Sequence, residues 1–120
     1  MDAGECPLLS INVKNLISDI STDCFVSVIS LFEMAIKKKI GKLTLSKEIS
    51  EYANELQRIG ITILPITPSH LGTYEQIPLI SEHKDSFDRL IIATAFHERL
   101  AIITVDEKFN FYSNTVKIVW

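Results

Sequence analysis

The chain has 120 residues, a length that fits a single domain spanning residues 1–120, since about 100 to 200 residues usually form one core. Apolar residues make up 47% and charged residues 22%, which excludes a disordered chain of low hydrophobicity and high charge. Twelve Lys and Arg against fifteen Asp and Glu leave a net charge of −3, so no global positive field draws the chain to nucleic acid or to an anionic membrane. A polyanionic partner needs a local basic patch.

Cys6 and Cys24 follow neither a CxxC nor a Cys/His metal spacing, and two thiols do not build a disulfide framework. The longest apolar runs, such as Leu90 to Ala93, fall far short of the ~20 residues of a membrane helix. The opening Met-Asp-Ala-Gly-Glu lacks the basic and apolar regions of a signal peptide, so a cytoplasmic protein without a membrane segment is expected.

Leu8, Leu9, Val13, Leu16 and Ile17 recur at helical spacing and predict a helix ending near Asp19, followed by a buried strand over Cys24 to Val28. Ser30-Leu-Phe-Glu33 has the spacing of a capping box for a second helix, with Phe32, Ile36 and Ile40 on one face and Gly41 as its stop. Ser46 is the expected cap of a third, carrying Ile49, Tyr52, Ala53, Leu56 and Ile59 before Gly60. Ile61 to Ile66 reads as a short strand that Pro65 places at an edge or ends early, and Thr67-Pro68 starts a brief helix. Residues 77–84 read as irregular, and Asp85-Ser-Phe-Asp88 opens a long helix with Phe87, Leu90, Ile91 and Ala95 on one face. Ala101 to Val105 and Val116 to Val119 read as strands joined by a turn through Asp106 to Tyr112. Alternating helices and β-branched runs predict an α/β fold with a parallel sheet.

In such folds ligands bind beyond the carboxyl ends of the strands, where helices begin. Glu33 follows the strand ending at Val28, Asp106 follows the strand ending at Val105, and Asp88 lies in the first turn of the helix leading into that strand. Carboxylates gathered there repel one another, and a divalent cation relieves the repulsion; hard oxygen donors suit magnesium or manganese. Such an ion polarises a phosphodiester and lowers the pKa of a bound water, which points to a metal-dependent nuclease. Each acid also has a structural reading: Glu33 as the partner of Ser30, Asp88 at a positive helix end, Asp85 as an N-cap, and Asp106 as the start of a turn.

The segments Val26-Ser-Val-Ile-Ser-Leu-Phe-Glu-Met-Ala-Ile-Lys37, Gly41-Lys-Leu-Thr-Leu45, Ile63-Leu-Pro-Ile-Thr-Pro68, His83-Lys-Asp-Ser-Phe-Asp-Arg-Leu-Ile-Ile-Ala93 and Ile103-Thr-Val-Asp-Glu-Lys-Phe109, in this order, closely resemble PIN-domain proteins of the VapC toxin type. The resemblance implies a three-layer α/β/α fold, an acidic pocket for Mg2+ or Mn2+, endoribonuclease cleavage of RNA, a cognate antitoxin protein and a homodimer. Carried over residue by residue, it makes Glu33, Asp88 and Asp106 metal-site acids, Asp85 an accessory residue, and Thr104 a hydroxyl near the site. Ser86 stands where the family usually has proline.

The family opens with a strand ending in a ligand Asp, and the opening Asp-Ala-Gly-Glu-Cys-Pro-Leu-Leu-Ser aligns instead with what normally follows it. Roughly one strand and its turn are therefore expected to be missing, with Met1 an internal methionine of a longer protein and Asp2 no substitute. The alternative reading is a catalytically impaired remnant acting only as an antitoxin-binding module. A phospho-receiver domain fits the order of the acids poorly. Lys37, Lys38, Lys39 and Lys42 form the one dense basic run, read either as a contact for an RNA backbone or as lysines complementing a helix C-terminus. His70, His83 and His97 match no zinc spacing, and His83, nearest the acids, is placed as a contact for substrate or antitoxin.

Overall fold

The computed structural model describes residues 23–82, 85–104 and 106–119. The helix expected over residues 8–19, the opening segment that carries the expectation of a lost strand, His83 and Val105 lie outside the described residues. The described chain forms two compact units, Asp23–Ile66 and the part that begins at Thr67.

In the Asp23–Ile66 unit, strand β1 (Phe25–Ser27) pairs in parallel with β2 (Thr62–Leu64), in the register Phe25 to Thr62, Val26 to Ile63 and Ser27 to Leu64. Helices α1 (Val28–Lys39) and α2 (Ile49–Arg58) form the crossover that a parallel pair requires. Helix α1 starts earlier than the sequence predicts. Ser27 is still extended, with φ −69° and ψ 137°, and its hydroxyl accepts the Ile29 N–H at 3.1 Å, so Ser27 is the cap and Ser30 lies inside the helix. The expected box between Ser30 and Glu33 is therefore replaced, and Glu33 stands in the second turn, not the first.

At the other end of α1 the Lys42 N–H reaches the Lys37 carbonyl at 2.9 Å and the Gly41 N–H reaches that of Lys38 at 3.2 Å, a Schellman closure with Gly41 at φ +79°. The same closure ends α2, with Gly60 at φ +94° and the Ile61 N–H on the Leu56 carbonyl at 2.9 Å. Ser46 does not cap α2. Glu48 occupies that position without a side-chain bond, and the Ser46 hydroxyl instead lies 3.4 Å from that of Tyr52. An exposed Lys47–Glu55 ion pair lowers the Glu55 pKa, chiefly through the side-chain hydrogen bond. Pro65 ends β2 after Leu64, as its missing donor predicts. In the basic run, Lys37, Lys38 and Lys39 form the last turn of α1, and the Lys38 ammonium donates to the Lys47 carbonyl at 2.9 Å.

The unit that begins at Thr67 opens with α3 (Pro68–Tyr74), packed on α4 (Ser86–Glu98), and ends in the parallel pair β3 (Ile102–Ile103) and β4 (Ile118–Val119), joined by a 3-10 helix over Glu107–Tyr112. The parallel pairing expected of an α/β chain thus appears as two two-stranded ladders among the described residues. Ile77, Ile92, Ala93, Ile102, Tyr112 and Val116 form the centre of this unit's core. The buried side of α4 carries Arg89, Ile92, Ala93, Thr94 and Ala95, while Phe87, Leu90 and Ile91, expected on that face, are less buried. Thr94, the polar exception, is satisfied by donating to the Leu90 carbonyl at 2.8 Å.

Strand β3 is shorter than the expected 101–105. The Thr104 N–H still bonds to the Val119 carbonyl at 3.1 Å, and the Thr104 hydroxyl accepts the Asp106 N–H at 3.1 Å, a local bond that competes with continuation of the ladder.

Candidate functional site

Asp85 and Asp88 stand together at the N-terminus of α4, where a carboxylate oxygen of each lies within 4.8 Å of the other. Asp85 is the cap that the sequence predicts: its Oδ1 accepts the Phe87 N–H at 2.9 Å and the Asp88 N–H at 3.2 Å. Through the second bond Asp85 also sets the backbone of the residue that carries the other carboxylate. A carboxylate has about four acceptor positions, so capping through one oxygen leaves the other oxygen chemically able to bind a cation. The positive end of α4 stabilises both charges.

These roles separate by substitution. Asp85→Ala should cost about 1 kcal/mol in urea unfolding through loss of the cap, while Asp85→Asn, an equally good cap, should leave stability nearly unchanged. Equal losses in the two variants would overturn the capping role.

Asp106 lies beyond the C-terminal end of β3, exposed, and its Oδ1 accepts the Lys108 N–H at 3.0 Å, which starts the 3-10 helix. Thr104 is half-buried and holds the Asp106 backbone through the bond already described. Both residues thus sit at the strand end that the topology of parallel sheets makes a ligand-binding edge. Glu33 belongs to the Asp23–Ile66 unit, half-buried on α1.

Arg89 follows Asp88 and is only 8% exposed. Its Nε–H donates to the Tyr74 hydroxyl at 3.3 Å with the guanidinium carbon 6.0 Å from the ring centre, and this hydrogen bond holds the Tyr74 phenol below its ordinary pKa.

One cluster had no signal in the sequence, because its members are far apart along the chain. His70 completes a capping box with Thr67: the His70 N–H donates to Thr67 Oγ1 at 3.4 Å and the Thr67 N–H donates to His70 Nδ1 at 3.0 Å. His70 Nε2 lies 2.9 Å from Glu98 Oε2, and the His97 ring packs edge-on at 5.3 Å between centroids. The ligand atoms of His70, His97 and Glu98 lie close enough to hold a metal. The tautomer argues otherwise. Because Nδ1 accepts from Thr67, neutral His70 carries its proton on Nε2 and donates it to Glu98, so the lone pair a metal needs is absent. This cluster ties α3 to α4.

The donors at the start of α4 are hard carboxylate oxygens with neither sulfur nor imidazole, a set that fits magnesium or manganese. A family model for the PIN domain matches residues 9–113, and so spans both described units. No curated protein and no solved structure matches the chain. PIN domains have a nuclease-type function in general and commonly use divalent metals. Parallel pairing in both units, acids at a strand end and a helix start, and a family match over most of its length together place this chain in the PIN domain family.

Proposed function

We propose that the chain is a Mg2+- or Mn2+-dependent endoribonuclease of the VapC toxin type, with Glu33, Asp88 and Asp106 as the acids that hold the ion and Asp85 and Thr104 as accessory residues. The observation that supports it best is the pair of carboxylates at the N-terminus of α4 in a chain of the PIN family. Asp85 fixes the helix end and through it the backbone of Asp88. Thr104 does the same for Asp106 by taking its N–H. Asp88 and Asp106 are thereby presented on backbone that a neighbour has oriented, so little reordering of these two is needed when substrate arrives. When bound, the ion supplies Lewis-acid polarisation of the phosphate and acidification of a water. A cognate antitoxin, a homodimeric state and a cytoplasmic location complete the reading.

Cleavage of an end-labelled single-stranded RNA should require Mg2+ or Mn2+, stop on addition of EDTA and return when the ion is restored in excess. Absence of cleavage with every divalent ion tried would sink the nuclease assignment and leave a protein that only docks an antitoxin.

A further inference from the structure

A groove of about 400 Å3 opens at the C-terminal end of α4, lined by Ala95, Phe96 and Arg99 on one side and by Ala101, Val116 and Lys117 on the other. Its volume lies within the usual range for pockets that take small organic ligands. The Ile102 N–H donates to the Lys117 carbonyl at 2.9 Å, so the β3–β4 ladder ties the second side together. Ala95 and Val116 are buried and apolar, and Phe96 is 46% exposed. Arg99 and Lys117 are both exposed, and none of the described residues lining the groove is acidic.

Arg99 occupies an unusual position. It ends α4 at φ +59° and ψ 44°, the left-handed conformation that glycine adopts without strain and other residues do not. Helices α1 and α2 close with glycine at the corresponding turn, whereas here the chain keeps a cation, and strain of this kind concentrates at functional sites. The groove also lies before β3, at the opposite end of that strand from Asp106.

We propose that this groove binds a nucleotide of single-stranded RNA away from the scissile bond, with a base stacked on Phe96 and the phosphate backbone held by Arg99 and Lys117. The proposal rests on the reading of the chain as an RNA-cleaving enzyme. An exposed aromatic ring beside two cations over an apolar lining is the combination used for sequence-tolerant binding of single strands. A base has the π-face that such a ring takes up, whereas an acidic peptide would satisfy the cations alone.

Binding of a labelled single-stranded oligoribonucleotide to the full chain is measured in EDTA, so that cleavage does not intervene, across a range of salt concentrations. Arg99→Gly removes the cation and supplies the residue that the cap prefers, so the variant should melt no lower than the parent while its affinity falls. Arg99→Gly and Lys117→Gln should each flatten the log–log salt slope by about 0.7, the value for one phosphate contact on a single strand. Phe96→Leu should weaken binding roughly tenfold at an unchanged slope. Wild-type slope and affinity in both cation variants would overturn the proposal, as would a polyglutamate peptide that occupies the groove as tightly as RNA. RNA that binds but is never cut with metal would sink the nuclease reading and leave the groove standing. RNA that is cut by a protein whose Arg99 and Lys117 variants bind normally would do the reverse.

Discussion

Asp88→Asn is expected to lower metal-dependent RNA cleavage by about 100- to 1,000-fold, the range seen when one preorganised electrostatic group is lost from an active site. The amide keeps the shape of the side chain and removes its charge, so the loss should fall on the chemical step and on affinity for the ion. Stability should change far less. A charge in the first turn of a helix contributes only about 0.3 to 1 kcal/mol, and the Asp85 cap that accepts the Asp88 backbone N–H remains in place. Single-turnover cleavage, a melting curve and Mn2+ binding, measured on the same preparation, separate these effects. Undiminished cleavage by this variant would remove Asp88 from the metal site, and a cleavage loss matched by collapse of the melting transition would reassign it to structure.

Ile92→Ala is expected to cause the largest loss of stability, about 2 to 5 kcal/mol. Ile92 has no exposed surface and lies on the inner side of α4 within the cluster of Ile77, Ile102, Phe109, Tyr112 and Val116. Removing three carbons there leaves a cavity that neighbours on β3, on the 3-10 helix and in the segments around Ile77 and Val116 cannot all close upon. Against a total of about 5 to 15 kcal/mol, the change should bring urea unfolding close to onset in plain buffer. Ile92→Val, removing one carbon, should cost about 0.5 to 1.5 kcal/mol. Ile59→Ala is the comparison. Its side chain is 67% exposed beyond the end of α2, and its loss should stay within about 0.5 kcal/mol. Similar effects at residues 59 and 92 would contradict the assignment of the core.

The capping errors share one cause. Ser27, Ser30 and Ser46 are all acceptable helix caps by composition, and local sequence does not rank them. Pairing of Ser27 opposite Leu64 in the β1–β2 ladder holds Ser27 extended, so the helix begins at Val28 and its hydroxyl does the capping. The same shift moved Glu33 out of the expected box. Along α4, residues 90–95 are apolar except for Thr94, so periodicity had little polar contrast from which to choose a face. Burial against α3 and the strands chose Ile92 and Ala93.

The acids divide in the same way. Asp85 was legible as a cap because capping is a contact over two or three residues. The use of the Thr104 hydroxyl to hold Asp106 was not legible, although the two are neighbours, because it depends on where the ladder with Val119 stops. The link from His70 to Glu98 crosses between helices, and no spacing rule reaches that far.

By itself the sequence determined the α/β class, the order of the elements, the glycine stops at Gly41 and Gly60, the Thr67-Pro68 and Asp85 helix starts, and the identity of the acids at strand ends and helix starts. These rest on interactions within one turn or on the repeat of apolar residues, which a linear reading contains. Only the tertiary structure decided which serine caps α1, how far β3 runs, which side of α4 is buried, and that Arg99 and Lys117 flank one groove. Those outcomes depend on pairing and packing between segments distant in sequence, where many local choices are nearly equal in energy and a few long-range contacts select among them.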